Sequence, residues 1–597
     1  MILQNLVFPK IGICTEEKLY FNEAKGDGFY NYEYNKLQLK AGEKIRFGTY
    51  FNSFLADRWK RYTNITDVAL NLKGEGQGIL KIYRYSSFNG LELIKSQNLL
   101  LDNNGTDIQI FNQAADIYGI IYFEFEAQTD SRLFGGDFHT SSDAFQQISL
   151  GIVITTFKRE LYVRRNMESL ENLLFDKIPD ENLHIFIIDN GQTLSPSQNS
   201  RISVVPNKNY GGAGGFGRGM LELYKSQKYN YVVFCDDDAV YEPEAFLRLF
   251  YFLSLAKNPE LCVGGSMLKL DNPCYIHESG AIFCGLELWP NKNMLDMTNF
   301  SSLINFNIEE YATYHAWWFF ACPVSCVEKI GLPIPVFFQM DDIEYSVRLR
   351  EHDYETAELN GICVWHESFQ RKSSTATNYY WIRNDMIVSF LHSKGLSKLN
   401  YIRWYTKYFL QSLLVYRYDR AQMMLRGAED ALKGPGFLMN LNPSSYHQWL
   451  LKQQIEKPHP IDRKSFTLAK YNRPVRHDKL KKIVMLVTLN GMLLPSFLTH
   501  HGKKVTDKGY VLEPLQSFRM SAVFRKETVL YIDDERMTGF EVYRSSKKFW
   551  TLLFKLIKMD MALFTHLDSC RKAYRKSFST MTSLEFWNKY VGNNTVE

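Results

Sequence analysis

The chain of 597 residues contains 45% hydrophobic and 23% charged residues, which excludes a disordered or fibrous protein and predicts three or four folded domains. Its nine cysteines include no CxxC pair, so a disulfide framework and a zinc finger are also excluded, and a reducing compartment is expected. The formal net charge of +5 conceals a basic last part, since residues 401–597 hold 33 Lys and Arg against 17 Asp and Glu.

Three patterns follow one another along the chain. Up to residue 147, runs such as KIRFGTYF and GIIYFEFEA alternate apolar with polar residues between turn-forming clusters, which predicts an N-terminal β-sandwich. From residue 148 to residue 395, apolar strands alternate with helical segments, which predicts βαβ units and a parallel sheet. From residue 396 to residue 597 the spacing is mainly helical. The whole chain is therefore expected to be a multidomain α/β protein.

No membrane-spanning segment is predicted. The start, MILQNLVFPK, lacks the basic and apolar regions of a signal peptide. The most apolar stretch, residues 483–498, contains Asn490, Gly491 and Pro495 and is shorter than the about 20 apolar residues that span a bilayer. The basic, aromatic segments KFWTLLFKLIK (548–558) and RKAYRK (571–576) favour attachment to an anionic lipid surface. A solvated basic face is the plainer alternative, and nucleic acid is disfavoured because no binding motif accompanies the charge.

The strongest chemical signal is YVVFCDDDAV at residues 231–240, an apolar strand that runs into Asp236, Asp237 and Asp238. Three adjacent carboxylates repel one another unless a cation or a set of donors lies among them. Oxygen ligands at the carboxyl end of a parallel strand suit Mg²⁺ or Mn²⁺ held together with substrate phosphates. Asp236 and Asp238 should point the same way on extended backbone. An acidic turn without a metal is the plainer alternative.

A glycine-rich segment, NYGGAGGFGRG at residues 209–219, supports two classes of protein. It contains the spacing GxGxxG with Asp236 further on, which is close to the fingerprint of a nicotinamide-dependent oxidoreductase. That class is disfavoured because the glycines follow at least two strands of the sheet and because ribose recognition needs one acid rather than three. The same glycines could let backbone N–H groups approach the phosphates of a sugar nucleotide, or could form a flexible loop.

Two later motifs add an acid pair and a histidine. In FFQMDDIEYSVR (337–348), Asp341 and Asp342 open a helical segment, where burial or a neighbouring acid can raise the pKa of Asp342 toward that of a general base. In CVWHE (363–367), His366 could complete the shell of a metal held by Asp236 and Asp238. A helix cap and a structural histidine are the plainer alternatives.

The order DDD, WW, DDIE and WHE resembles the inverting glycosyltransferases of GT-A fold. More closely it resembles the bacterial UDP-galactofuranose-dependent galactofuranosyltransferases that build cell-wall galactan. The resemblance spans nearly the whole chain, because in that family a β-sandwich precedes the GT-A domain and a largely helical region follows it. It implies a single inverting displacement that uses Mn²⁺ or Mg²⁺.

The resemblance also implies roles for single positions. It makes Asp342 the catalytic base and Asp236, Asp238 and His366 the metal ligands. The implied nucleotide-contacting residues are Thr156, Arg159, Asp189, Asn190, Asn209 and Asp237. The implied sugar-contacting or acceptor-contacting residues are Trp317, Trp318, Asp341 and Glu278. For each tryptophan alone, core packing is the plainer alternative.

The implied donor is UDP-galactofuranose. The implied acceptor is a growing glycan on a polyprenyl carrier, so the enzyme would lie peripherally on the cytoplasmic face of the cell membrane; relatives of this architecture can form homo-oligomers. Two other functions stay open, namely a transferase with a galactopyranose or rhamnose nucleotide as donor, and a non-catalytic glycan-binding protein. The intact carboxylate clusters argue against the last of these.

Overall fold

The computed structural model describes residues 1–25, 29–367, 375–461, 479–502, 508–533 and 536–592. The first part of the chain consists almost entirely of strands, as its alternating pattern predicts. Its elements are β1 (Ile2–Asn5), β2 (Asn22–Lys25), β3 (Phe29–Asn31), β4 (Lys36–Leu39), β5 (Lys44–Arg46), β6 (Phe54–Leu55), α1 (Ala56–Tyr62), β7 (Val68–Ser86), β8 (Gly90–Leu101), β9 (Thr106–Phe111), β10 (Ile120–Ala127) and β11 (Ser131–His139).

The 19-residue strand β7 connects the two halves of this β-rich region. Its first half pairs with β9 and β11, and its second half pairs with β8 and β10. The change of partners falls near Gly76, whose φ of +107° favours glycine. Apolar side chains from both halves, such as Leu70 and Phe123, lie in the same hydrophobic core. The predicted β-rich N-terminal region is confirmed.

The central part alternates strands and helices. Its elements are β12 (Leu150–Thr156), α2 (Glu160–Leu174), β13 (Leu183–Asp189), β14 (Ile202–Pro206), α3 (Gly211–Ser226), β15 (Tyr231–Asp236), β16 (Val240–Tyr241), α4 (Pro243–Leu255), β17 (Cys262–Lys269), β18 (Asn272–Glu278), β19 (Ala281–Phe283), β20 (Leu288–Pro290), α5 (Phe300–Asn307), β21 (Phe319–Pro323), α6 (Cys326–Ile330), α7 (Asp341–Glu351), β22 (Thr356–His366) and α8 (Thr377–His392).

The central sheet has the strand order β14-β13-β12-β15-β21-β17-β22-β16. Its first four strands are parallel, and β12 has β13 on one side and β15 on the other. The direction of winding therefore reverses between β12 and β15, where open α/β sheets bind ligands beyond the carboxyl ends of their strands. The predicted α/β central region is confirmed, with the antiparallel strand β21 inserted between β15 and β17.

The last part of the chain is mainly helical, as predicted. Its elements are α9 (Lys398–Leu414), α10 (Tyr418–Leu432), α11 (Pro435–Asn440), α12 (Pro443–Gln453), β23 (His459–Pro460), α13 (Lys479–Val487), β24 (Tyr510–Pro514), α14 (Met520–Val523), β25 (Thr528–Asp533), β26 (Thr538–Tyr543), α15 (Ser546–Met581) and α16 (Leu584–Gly592). The helical spacing did not predict the four short strands of this part, which form a sheet in the order β23-β26-β25-β24.

Helix α3 contains the glycine-rich segment, and its glycines permit close packing. A Cβ atom at Gly215 would lie 2.1 Å from the side chain of Thr155 in β12. A Cβ atom at Gly217 would lie 2.3 Å from the ring of Trp587, because α16 packs against α3. Trp587 is fully buried, and its indole N–H donates to the carbonyl oxygen of Pro333 at 3.0 Å. The segment is therefore a packed helix and not a flexible loop.

None of the helices in the described part of the chain is both long and apolar enough to cross a bilayer. The longest helix, α15, has 36 residues and packs against α8, α9 and α10. The division of the chain at residues 147 and 395 stays a prediction.

The buried tryptophan of α16 provides a test of how this helix supports α3. Trp587→Ala is expected to lower the free energy of unfolding by about 3–5 kcal/mol, because it removes a fully buried indole and leaves a cavity. Chemical denaturation followed by circular dichroism measures the loss. Trp550→Ala is the control, since Trp550 is 37% exposed and its removal should cost about 1 kcal/mol or less. Equal losses in the two variants would contradict the role of α16.

Candidate active site

Two aspartates and one histidine meet at one edge of the central sheet. Nε2 of His366 lies 3.0 Å from Oδ1 of Asp238 and 3.8 Å from Oδ2 of Asp236. Strand β21 runs antiparallel to both β15 and β17, and β17 is parallel to β22. Because β15 and β22 therefore run in the same direction, the residues at their carboxyl ends reach the same edge of the sheet.

The side chains of this cluster form a donor set that suits a divalent cation. One oxygen or nitrogen atom from each of Asp236, Asp238 and His366 lies within 4.8 Å of the others. Nδ1 of His366 donates to the carbonyl oxygen of Glu367 at 2.7 Å, since a carbonyl can only accept, and Nε2 is left to face the two carboxylates. Imidazole nitrogen and carboxylate oxygen together are ligands for ions such as Mn²⁺.

Asp237, between the two other aspartates, has its carboxylate turned toward β12. It accepts from the hydroxyl of Thr156 at 2.7 Å and from Nη1 of Arg159 at 2.8 Å. Nη1 of Arg159 also lies 2.8 Å from Oδ2 of Asp238. One guanidinium therefore offsets charge on two of the three carboxylates and places a cationic group beside the cluster. Asn166 fixes the turn by donating to the carbonyl oxygen of Asp237 at 2.9 Å.

The predicted nucleotide residues at the end of β13 organise the neighbouring backbone. The buried carboxylate of Asp189 accepts from three backbone N–H groups, those of Gly191, Thr193 and Leu194, at 2.7–2.9 Å. The side chain of Asn190 donates to the carbonyl oxygen of Gly211 at 3.0 Å. The loop after β13 is thereby fixed against the start of α3.

Asn209, also predicted to contact the nucleotide, lies just before α3. Its side-chain oxygen accepts from the backbone N–H of Gly211 at 3.1 Å. Because Asn190 binds the carbonyl group of the same glycine, the two asparagines hold Gly211 from both sides. The predicted nucleotide residues therefore lie together around the point where the strand order reverses.

A cleft of about 450 Å³ opens beside the carboxylate–histidine cluster. Asp236 lines this cleft, so the cluster and the later acid pair share one cavity. The other predicted residues along its walls are Glu278, Trp317, Trp318, Asp341 and Asp342. The structure thus brings together side chains that are separated by more than 100 positions in the sequence.

The acid pair follows a strained loop that the next helix holds in place. Phe337, Gln339 and Met340 all have positive φ angles, between 66° and 72°, which are uncommon for residues with side chains. The side-chain amide of Asn384 in α8 donates to the carbonyl oxygens of Phe338 at 2.7 Å and Gln339 at 3.0 Å. Arg383 donates to the carbonyl oxygen of residue 336 at 2.5 Å. These bonds fix the direction in which α7 presents its first two aspartates.

Burial in the cleft shifts the acids toward their neutral forms. It raises the pKa of Asp342 to about 6. Burial, followed by the charge of Asp342, raises the pKa of Glu278 to about 8 and places the pKa of Asp341 well above its usual range. The hydroxyl of Tyr314 donates to Glu278 at 3.3 Å. At neutral pH the cleft therefore offers both a carboxylate that can accept a proton and carboxyl groups that can donate a hydrogen bond.

The two tryptophans combine core packing with a place on the cleft wall. The ring of Trp317 stacks on Phe234 with 4.5 Å between centroids. The indole N–H of Trp318 donates to the carbonyl oxygen of Gly265 at 2.9 Å. Both rings are almost fully buried and both line the cleft. Both rings therefore pack in the core, and their contact with a sugar or acceptor stays a prediction.

The sequence analysis misses Asp385, a carboxylate of α8 that also lines the cleft. It is 3% exposed, and within the described residues its Oδ1 has no hydrogen-bond partner. Burial places its pKa well above the usual range. The available signal was one acid inside the apolar helical run WIRNDMIVSF, a position that normally carries an apolar residue.

The buried acid Glu278 makes stability depend on pH. The pKa of Glu278 is about 8 in the folded chain, against 4.5 for an ordinary glutamate. The folded chain therefore keeps a proton that the unfolded chain releases, and stability falls as the pH rises from about 4.5 through about 8. Glu278→Gln should remove this fall, and its free energy of unfolding should gain a few kcal/mol relative to the parent between pH 5 and pH 9. Denaturant titrations in chelator at both pH values measure this difference. The exposed Glu181→Gln is the control, and parallel pH curves for parent and Glu278→Gln would contradict the burial argument.

Two family models match consecutive parts of the chain. Residues 3–141 match the galactofuranosyltransferase 2 N-terminal model, and residues 150–386 match the glycosyltransferase-like family 2 model. The chain is 24% identical over 98% of its length to galactofuranosyltransferase GlfT2 of Mycobacterium tuberculosis, of which 96% is covered. It is 24% identical over its whole length to GlfT2 of Mycolicibacterium smegmatis, of which 97% is covered.

Solved glycosyltransferases align with parts of the chain at low TM-scores. GalNAc-T7 with UDP, GalNAc and Mn²⁺ aligns with 46% of this chain and 53% of its own, at 13% identity and a TM-score of 0.34. Mannosyltransferase PcManGT from Pyrobaculum calidifontis with GDP-Man and Mn²⁺ aligns with 52% of this chain and 86% of its own, at 10% identity and a TM-score of 0.28. The family matches and the full-length relatives together identify the chain as a glycosyltransferase of GT-A type, and they confirm its predicted resemblance to the galactofuranosyltransferases.

Proposed function

We propose that the chain transfers galactofuranose from UDP-galactofuranose to a hydroxyl group of a glycan acceptor, with inversion at the anomeric carbon. The observation that carries this proposal is that Asp236, one member of the carboxylate–histidine cluster, lines the same cleft as the acid pair of α7. The two full-length relatives are named galactofuranosyltransferases, which supports this sugar over galactopyranose or rhamnose.

We assign Asp236, Asp238 and His366 to the metal site. A bound Mn²⁺ or Mg²⁺ would supply Lewis-acid stabilisation of the departing diphosphate. Arg159 adds a fixed positive charge on the same side of the cleft through its contacts with Asp237 and Asp238. On the nucleotide side we place Thr156, Arg159, Asp189, Asn190, Asn209 and Asp237. Of these, Asp189 and Asp237 act by fixing their surroundings, because their carboxylates already accept bonds from within the protein.

Asp342 is the proposed catalytic base. With its pKa near 6, it is ionised at neutral pH and basic enough to take the proton from the acceptor hydroxyl as that oxygen attacks the anomeric carbon. The bond between the sugar and UDP breaks in the same step, so the proposal needs no covalent enzyme intermediate. Asp341, Glu278 and the two tryptophans of the cleft would position the sugar and the acceptor.

The base assignment predicts a variant that binds but does not transfer. Asp342→Asn is expected to lower the transfer rate by at least about a hundredfold, since general base catalysis contributes roughly 10²–10⁴-fold. Its affinity for UDP should stay within about twofold of the parent, which is a few tenths of a kcal/mol. The reason is that the proposed base acts on the acceptor hydroxyl and not on the nucleotide. The assay incubates UDP-galactofuranose with a galactofuranose-bearing acceptor and identifies the product by mass spectrometry.

Asp353→Asn at the exposed turn after α7 is the matched control and should transfer like the parent. An active Asp342→Asn variant would remove Asp342 from the base role. Turnover with UDP-galactopyranose or a rhamnose nucleotide in place of UDP-galactofuranose would identify a different donor. Glycan binding without release of UDP from any donor would favour a non-catalytic glycan-binding protein.

We also propose that the acceptor is polyprenyl-linked and that the enzyme lies on the inner face of the cell membrane. Helix α15 carries one apolar stripe that is buried in the protein and a second stripe that is exposed. The members of the exposed stripe are 37–63% accessible and are Trp550, Phe554, Ile557, Met561 and Phe564. The exposed Lys555 and Lys558 flank this stripe. Apolar side chains beside lysines suit the interface of an anionic bilayer.

The exposed stripe predicts binding to lipid vesicles. The full chain should sediment with vesicles that contain anionic phosphatidylglycerol and much less with neutral vesicles, because lysines add electrostatic attraction to apolar insertion. Replacing Phe554 and Ile557 with serine should reduce recovery severalfold. The control replaces Leu91 and Leu93 with serine, two residues of β8 that are 55% and 53% exposed.

The spacing of the stripe, four and then three residues, also suits a second copy of the chain. A variant that loses self-association in analytical ultracentrifugation and keeps its vesicle binding would assign the stripe to a homo-oligomer. Equal sedimentation with anionic and neutral vesicles would reject the electrostatic contribution.

A further inference from the structure

A second cavity, which we call the arginine cavity, lies between α8, α10 and the C-terminal sheet. Its volume is about 140 Å³, and its walls include Asn378, Arg417, Arg420, Gln454 and Glu456. This volume accommodates a few water molecules or one tetrahedral oxyanion, since a water molecule occupies about 30 Å³ in the liquid. The cavity is more polar than the apolar core around it, and none of its lining residues has a role in the proposed transfer reaction.

The first arginine of the cavity has a carboxylate partner. Nε of Arg417 lies 2.8 Å from Glu456, and its Nη1 donates to the carbonyl oxygen of Leu515 at 3.2 Å. Asp419, the nearest other acid along α10, directs its carboxylate to the backbone N–H groups of Ile455 and Glu456. Among the described residues, Glu456 is the one acid in the wall, and it is paired with Arg417.

The second arginine has no such partner in the described part of the chain. Arg420 is only 8% exposed, and its one hydrogen bond runs from Nε to the side-chain oxygen of Asn378 at 2.7 Å. Its Nη1 is buried without a hydrogen-bond partner among the described residues. A second donor in the cavity wall, Nε2 of Gln454, is also buried without a hydrogen-bond partner among the described residues. Buried donors without partners are costly, and a buried charge without a counter-charge is more so.

The surroundings of Arg420 also favour the binding of an anion. Its guanidinium lies over the ring of Phe518 at 4.1 Å and over Trp381 at 5.4 Å. Arg420 and Phe518 both line the cavity. Burial and the neighbouring charge of Arg417 lower the pKa of Arg420 to about 9, although the charge of Glu456 acts in the opposite direction. An oxyanion in the cavity would supply both the counter-charge and the acceptors for the free donors.

The arginine cavity adjoins the active cleft. The ring of Trp381 lines the cleft, and its centroid lies 5.4 Å from the guanidinium of Arg420. Asn378 and Asp385, on the same helix, line the cavity and the cleft respectively. The arginine cavity and the cleft are therefore neighbours along α8.

We propose that the arginine cavity binds a phosphate-type oxyanion between Arg420 and Gln454. The ligand is a phosphate group, carried either on the glycan acceptor or free in solution. Only the first of these sources rests on the proposed transferase function. The oxyanion site itself follows from the two unpaired donors and would stand if the donor sugar were a different one.

The test titrates the full chain with inorganic phosphate in an isothermal calorimeter. Chelator is present throughout, so that phosphate cannot bind through a metal at the carboxylate–histidine cluster. The parent should bind one phosphate per chain, and Arg420→Met should raise the Kd by at least about tenfold, as expected for the loss of a charge-assisted hydrogen bond. Arg420→Lys, which keeps the charge, should lie between the two. Gln454→Glu should also abolish binding, because it places a carboxylate in the cavity without changing its size.

The matched control is Arg426→Gln, which removes a partly exposed arginine from the other side of α10. Its Kd for phosphate should equal that of the parent. Absence of phosphate binding by the parent, or equal binding by the parent and a folded Gln454→Glu variant, would overturn the proposal.

Transfer assays separate the two sources of the phosphate. If the acceptor carries it, the KM of a phosphorylated acceptor should be about tenfold lower than that of the same neutral acceptor, and Arg420→Met should remove this advantage. Equal KM values, together with intact phosphate binding, assign the cavity to free phosphate. If no donor supports transfer, the calorimetric titration still decides whether the oxyanion site exists.

Discussion

Mutual repulsion among the carboxylates at the end of β15 is the constraint on which the rest of the active site depends. Asp236 and Asp238 lie beside the imidazole of His366, and a close pair of acids is stable as an ionised pair only near compensating positive charge. Arg159 supplies part of that charge from the side of β12. In the proposed function, the remaining negative charge would attract a divalent ion and, through that ion, a diphosphate.

The proposed function also requires a base of suitable pKa in the same cleft, and we assign this role to Asp342. The loop before α7 adopts three uncommon backbone conformations, which cost of order 1–3 kcal/mol each when a non-glycine residue adopts them. Asn384 and Arg383 of α8 hold these conformations through backbone carbonyl groups. The apolar walls of the cleft then raise the pKa of Asp342 by burial. Helix α8 therefore links the base, the cleft and the arginine cavity.

Much of the fold and most of the proposed site could be predicted from the sequence because they depend on local patterns. Strand alternation and the run of apolar residues into Asp236 have a direct physical meaning, and the common direction of parallel strands explains why His366 arrives at the same edge. The packing role of Gly217 could not be predicted, because it depends on Trp587, which is 370 positions away in the sequence. Asp385 and Arg420 were missed for the same reason, since each has one buried polar atom without a hydrogen-bond partner among the described residues, which only the folded chain reveals.

Binding of Mn²⁺ to the purified chain, followed by electron paramagnetic resonance, tests most directly whether Asp236, Asp238 and His366 form one metal site. We expect one tightly bound ion per chain and an affinity loss of at least about tenfold in His366→Ala, since removing a ligand should weaken binding at least as much as removing a supporting residue. The control is His459→Ala, which replaces an exposed histidine in β23 and should bind Mn²⁺ like the parent. Unchanged affinity in a folded His366→Ala variant would show that these three residues do not form one metal site.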